Sequence, residues 1–278
     1  MIRLIHNELL KIIGKWRSSI GFILIGVLMP LILWGFAKGG ESFQREHLGQ
    51  MSDSFVVVGS IVNGFLATYV VMNFLWVHVP FLIMLVSGDI VASEGQSGTF
   101  RIYLTRSVSR LKIIIAKWLT TLVYIFALLV FSSIMSLGLG ALWLGVGDLV
   151  VFHEGLLILP WDMAFWRFTL AFWLVLGAMF TVSTLCFMFS SMVNNGIGPI
   201  IGGMAFLIIG LAVANIPLTF FETISPYLFT SYLDVWKKAF FDPIPWGEIG
   251  FDLTVLMGHL LIFLMITIRH FSKKDILT

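Results

Sequence analysis

Six runs of about twenty apolar residues, separated by short polar segments, set the first limit on this chain. A helix needs roughly 20 residues to cross a hydrocarbon core, and a spanning segment must satisfy its backbone groups internally. The runs lie at about 18–37, 61–86, 116–140, 168–189, 198–216 and 249–268. The expected fold is an all-α polytopic membrane protein: one transmembrane domain over 1–278 with six transmembrane helices. The apolar stretch from Phe55 to Val86 is too long for one perpendicular helix and too short for a hairpin. It predicts a single tilted or projecting helix, with Pro80 as a kink point. Composition agrees: 59% of residues are hydrophobic, 12% are charged and mean hydropathy is +0.99. A soluble domain carries about 25% charged residues.

Charge gives the sidedness. With both termini inside (N-in/C-in), the cytoplasmic segments carry twelve Lys and Arg against four Asp and Glu. The opposite face then holds five basic and eleven acidic residues. Lys and Arg concentrate in cytoplasmic loops near span ends. The reading is a multi-pass protein of the cytoplasmic (plasma, or cell inner) membrane with both termini cytoplasmic. One inside turn, "SSMVNNGIG", has no basic residue and is placed by alternation alone. The basic balance follows from this sidedness and gives no case for nucleic acid as a partner. The first apolar run begins after seventeen residues with no small-x-small site behind it, which predicts an uncleaved signal anchor.

The spans hold no Asp, Glu, Lys or Arg near their middles. Such a charge costs at least about 2.5–3.5 kcal/mol and is kept mainly for ion or proton pathways, so a proton-coupled transporter is disfavoured. His78 and His259 are the ionisable groups at depth; neither has a carboxylate nearby in sequence, which favours neutral packing over a relay. Asn63 and Asn73 predict interhelical hydrogen bonds, or, with His78, the lining of a substrate path. Gly198 and Gly202 lie four apart, with Gly203 beside them, a spacing that lets helix backbones approach closely. Subunit contact and intrachain packing both fit it. The lone Cys186 has no disulfide partner and suits a buried small side chain, and no metal-ligand spacing occurs.

Two amphipathic segments lie outside the spans. "MIRLIHNELLKIIGKWRSS" puts Ile2, Ile5, Leu9, Ile12 and Ile13 near one helical face, with Lys11, Lys15 and Arg17 beside them. This predicts a helix lying along the inner membrane surface. Between spans 5 and 6, residues 217–248 predict an extracytoplasmic helix begun by Ser225-Pro226, ended by Pro243 and Pro245, with an aromatic side including Tyr227, Tyr232, Trp236 and Phe240. It would rest at headgroup level or close over an exit path.

"SGDIVASEGQSGTFRIYLTRSVSRLK", residues 87–112, is a polar, basic, glycine-punctuated loop between two of the most apolar runs. The second helix is expected to project to about Glu94. "GQSG" then breaks it, Thr99 caps a short helix "FRIYLTR", and Ser107 or Ser109 caps the third span. That short helix offers Phe100, Tyr103 and Leu104 on one side and Arg101 and Arg106 elsewhere. This suits a protein docking surface, though a basic loop on anionic lipid has the same composition.

The loop resembles the first cytoplasmic loop of ABC-2 type ABC transporter permeases. Glu94, Gly98, Thr99, Leu104, Ser109 and Arg110 match that family's pattern; Gly95 stands where a basic residue is usual and Ser107 where Pro is frequent. The basic ending "RHFSKKDILT" and the opening "NELLKIIGKWRSS" are also similar to that family's ends. The resemblance implies a six-helix subunit that dimerises with its own kind or a homologous permease, through its first and fifth spans. It also implies docking of an ABC ATPase (nucleotide-binding) subunit on the coupling loop through Glu94, Gly98, Thr99, Phe100, Arg101, Tyr103, Leu104 and Arg106. ATP and magnesium would bind that partner; this chain has no G-x-x-x-x-G-K-[ST] loop and is expected to hold no cofactor and to be no enzyme itself. The expected function is export driven by the partner's ATP hydrolysis. The alternative is a non-transporting anchor through which an ATPase pair works on an extracytoplasmic partner. An intramembrane enzyme is opposed by the lack of H-E-x-x-H, paired intramembrane aspartates or a Ser–His pair.

Overall fold

The computed structural model describes residues 1–49, 61–98, 109–152 and 156–274. Six helices are long and apolar enough to cross a membrane: Trp16–Gly40, Gly64–Gln96, Arg110–Leu144, Trp161–Met192, Gly198–Asn215 and Trp246–Lys273. Each of the six apolar runs thus becomes one helix, usually longer than the run itself.

In chain order the elements are α1 (Ile2–Ile13), α2 (Trp16–Gly49), α3 (Gly64–Ser87), α4 (Asp89–Gln96) and α5 (Arg110–Ser133). A π-helical turn at Ile134–Gly138 leads into α6 (Leu139–Leu144). Strands β1 (Leu149–Phe152) and β2 (Leu156–Leu159) precede α7 (Trp161–Met192), α8 (Gly198–Asn215), α9 (Thr219–Ile224) and α10 (Trp246–Lys273). The second span and α4 form a near-continuous rod, Gly64–Gln96. Asn63 starts it by accepting from the amides of Phe65 and Leu66, and Gly98, at φ +68°, follows its end. Left-handed backbone suits glycine, so the break falls where the glycine pair predicts it. Ser109 caps α5 through the Lys112 amide, as the sequence suggests.

α7 is the central helix. It packs on α3, α5, α8 and α10, and 67% of its apolar window is buried, against 22% for α2 and for α10 at the rim. Small and hydroxyl residues (Ala164, Ala171, Ala178, Ser183, Thr184) line it, which lets four neighbours approach one rod.

Two features correct the sequence reading. The chain is not wholly α-helical, because β1 and β2 pair antiparallel with Val150 opposite Ile158. Runs rich in β-branched and aliphatic residues favour this pairing once the chain leaves the membrane. And residues 217–248 do not form one helix from Ser225. After α9 come three 3₁₀ turns, Ser225–Tyr227, Phe229–Tyr232 and Val235–Phe240, and Ser225 makes no side-chain cap. Phe229, Thr230, Leu233, Val235, Trp236, Ala239 and Phe240 are all buried. That set spreads around more than half of a helix's circumference, so a helix resting on a surface could not bury it. The tighter turns wrap both sides against the bundle. Arg167 of α7 fastens the last turn, donating to the carbonyls of Ala239 (3.1 Å) and Phe241 (2.8 Å).

Candidate functional site

At one end of the bundle α1, α4 and the start of α5 are locked by a ring of alternating charges. The Lys117 ammonium of α5, 1% exposed, lies 2.5 Å from Glu8 Oε2 of α1 and 2.8 Å from Glu94 Oε2 of α4. Lys11 closes the ring at 2.7 Å from Glu8 Oε1 and 3.0 Å from Glu94 Oε1. Glu8 and Lys11 share a face because they are three apart on one helix. Beside the ring, Asp89 at the start of α4 accepts from Lys15 (2.8 Å) and from Arg17, while Lys15 also donates to Ser93 (2.9 Å). Ser18 ties the α1–α2 turn by donating to the carbonyls of Ile12 and Lys15.

Electrostatics follow from this packing. Burial by itself would raise the Glu8 carboxyl, but Lys117 and Lys11 outweigh it and hold its pKa below the ordinary value. Burial by itself would lower Lys11, and the Glu8 and Glu94 carboxylates reverse that into a rise. Each charge is therefore stabilised by its neighbours, and losing one strands the rest. Breaking a buried pair by removing one partner costs about 3–5 kcal/mol. A cleft of about 560 Å³ opens beside the ring, lined by its carboxylates, Lys15, Arg17 and the apolar Leu85 and Ile90. Lys15, the one amine beside a hydroxyl (Ser93), is itself paired with Asp89, and among the described residues no His, Cys, Asp and Glu group could hold a metal. Its chemistry is that of a clamp.

The same end gathers the other connections. Gly196 of the turn between α7 and α8 lies so close that a Cβ on it would meet Asp89 Oδ1 at 2.7 Å. Lys274 donates to the Ser191 carbonyl (3.0 Å) and Arg110 to the Lys274 carbonyl (2.9 Å). The turn without basic residues thus sits beside Arg17 and α4.

Among the sequence candidates, Glu94 falls in the ring and Gly98 at the turn behind α4. Thr99, Phe100, Arg101, Tyr103, Leu104 and Arg106 lie outside the described residues. Gly203 packs inward, where a Cβ would meet Cys186 Sγ at 3.1 Å, whereas Gly198 and Gly202 face outward. Among the described residues, the interhelical hydrogen bonds expected of the two asparagines are not found. Asn63 spends its oxygen on the α3 cap and its amide on the Asp148 carbonyl (2.7 Å), and Asn73 donates back to Tyr69 of its own helix (3.0 Å). His78 hydrogen-bonds the Phe74 carbonyl (2.7 Å) and stacks on the Phe74 ring, while His259 bonds the Val255 carbonyl and lies against Phe229. Both histidines therefore pack rather than relay. Asn63 is consumed by the cap; Asn73 and His78 remain exposed on α3.

Sequence reasoning assigned Glu8, Asp89 and Lys117 only to the inner face. Apart from the Glu8–Lys11 pair their partners are 23 to 109 residues away, so no local spacing marks them. A smaller cavity also escaped it, about 30 Å³ among Met72, Trp76, Ser132, Ser136, Met179 and Trp236. The Trp236 Nε1 is buried without an acceptor among the described residues.

Six apolar helices closed at one end by paired charges define a multi-pass membrane protein. Over residues 23–277 the chain matches the model of the family described as "Protein of unknown function (DUF2705)", and it belongs to that family. It is also similar to "Uncharacterized protein YhcI" of Bacillus subtilis (strain 168), 25% identical over 318 aligned positions covering 99% of each chain.

Proposed function

We propose that this chain is the membrane-spanning permease subunit of an ABC transporter, exporting a substrate with energy from ATP hydrolysed on a separate subunit. The observation that carries the reading is the rod Gly64–Gln96: it ends in the loop that resembles the coupling loop of ABC-2 permeases, and it is clamped there to α1 and α5 through Glu94. A push on residues 99–108 would reach the second and third spans together, as a rigid-body shift between two states. In this reading the ring faces the cytoplasm, α1 lies in the inner headgroup layer with Ile2, Leu10 and Ile13 outward, and both termini are cytoplasmic. The outward Gly198 and Gly202 face a second copy or a homologous permease, and ATP with magnesium stays on the partner chain.

Affinity purification in mild detergent tests this. An ATPase should accompany the chain and be lost with Tyr103→Ala plus Leu104→Ala, while membrane insertion stays normal. A chain that arrives without an ATPase, or a double variant that retains it, refutes the docking.

A further inference from the structure

Span 3 changes course at its π turn. Such a turn adds a residue to the helical repeat and often marks a functional position. Before it, α5 packs on α7; beyond it the chain leans onto α2 and α3 instead. There the backbones of Gly64 and Gly140 meet so closely that a Cβ on Gly64 would lie 2.4 Å from the Gly140 carbonyl carbon. The third and fourth spans therefore part toward the hairpin end. The wedge between them is a groove of two adjoining parts, about 240 and 520 Å³, which share Ser133, Leu137 and Phe165. The rings of Phe126 and Trp173, 6.4 Å apart, face each other at its deeper end, and exposed Trp161 stands at the other.

Two properties select the occupant. The hydroxyls in the walls are already used: Ser133 donates to the Leu129 carbonyl (2.9 Å) and Thr169 to the Phe165 carbonyl (3.0 Å). The walls thus offer hydrocarbon and ring faces rather than hydrogen bonds. From Phe126 to Ala141 the groove runs about 22 Å, long enough to cover the roughly 15 Å hydrocarbon depth of one leaflet. A helix of a second copy, about 10 Å across, would need roughly twice the volume over that length. We propose that this groove seats one acyl chain of a membrane phospholipid from the leaflet on the hairpin side.

Native mass spectrometry of the detergent-purified chain with added dipalmitoyl phosphatidylethanolamine tests the seat. A Cβ at Gly138, which lines the groove, meets no atom within 4 Å, so the side chain of Gly138→Phe starts from open space. Gly35 on the first span is equally open and serves as the control. Wild type and Gly35→Phe should hold one lipid per chain under activation that strips the annulus, and Gly138→Phe should hold at least tenfold less. Ala141→Leu gives the same reading if Gly138→Phe fails to fold. Exchanging phosphatidylethanolamine for phosphatidylglycerol should change nothing. Equal retention in filled variants and wild type, or strong headgroup preference, overturns the proposal. No nucleotide or partner enters this measurement, so its failure leaves the permease reading untouched.

Discussion

Glu8 and Lys117 stand 109 positions apart in the chain and 2.5 Å apart in the structure. Lys117 donates to Glu8 and pairs its charge with Glu94 on a different helix, so it holds α1 and α4 at once. Lys117→Met leaves Glu8 and Glu94 facing each other in a half-dry space. The expected loss is about 3–5 kcal/mol, read as a lower melting temperature in detergent. Lys117→Met with Glu8→Leu should recover part of that loss, because one stranded carboxylate is gone. A double variant as unstable as the sum of the singles would contradict the coupling.

The ring also sets a pH window. Glu8 has a depressed folded pKa, so its contribution is present above the unfolded value near 4.5 and lost as pH falls through the folded value. Lys11 has a raised folded pKa, so its contribution is present below 10.5 and lost as pH rises past the folded value. The protection of the α1 amides, as the ratio of intrinsic to observed exchange at each pH, should be high and flat between those limits and fall outside them. In Glu8→Gln the acid limb should disappear; an unchanged acid limb would point to another group.

Gly64 should tolerate nothing larger. Its would-be Cβ meets backbone rather than a flexible side chain, so no rotamer change relieves the contact. Gly64→Ala should destabilise by about 1–3 kcal/mol, the usual cost of overpacking, while Gly35→Ala should not. Thermal unfolding of the two variants in one detergent decides it.

Two tryptophans separate paired from unpaired donors. Trp76 Nε1 donates to the Leu233 carbonyl (3.1 Å), whereas Trp236 Nε1 has no acceptor among the described residues. Trp76→Phe orphans a carbonyl; Trp236→Phe removes an orphan. Trp76→Phe should therefore cost about 1 kcal/mol more, although Trp236 is the more buried ring, and the reverse order would show that ring volume dominates.

Length and hydropathy made the six spans legible, because lipid leaves a chain few choices. The projection of the second helix to about Glu94 and its break were legible too, through the glycines at 95 and 98, although the helix begins only at Gly64, inside the apolar stretch that starts at Phe55. Contacts between distant segments were not. Lys117 reads as an ordinary basic residue at a span edge until folding brings Glu8 and Glu94 to it. The π turn was invisible because "IMSLG" has the composition of any apolar helix and the detour arises from the Gly64–Gly140 contact. The aromatic segment near Trp236 carried a helical period, yet burial on several sides replaced the helix with tight turns.

The glycine contact has one more consequence. The rod of 33 residues is about 50 Å long, and backbone touches backbone at one end of it. In the permease reading that end would serve as a pivot and Gln96, moving with the α1 and α5 ends clamped to it, as the tip of a lever arm. A sideways force on the tip becomes rotation about Gly64, and displacement grows in proportion to distance along the arm. Leu75, Trp76 and Val79, which line the small cavity, ride about a third to a half of the way along it and would travel that fraction of the tip's displacement. In that reading, stiffness in a helix would turn a nudge at one surface into widening or narrowing of the space that Trp236 lines.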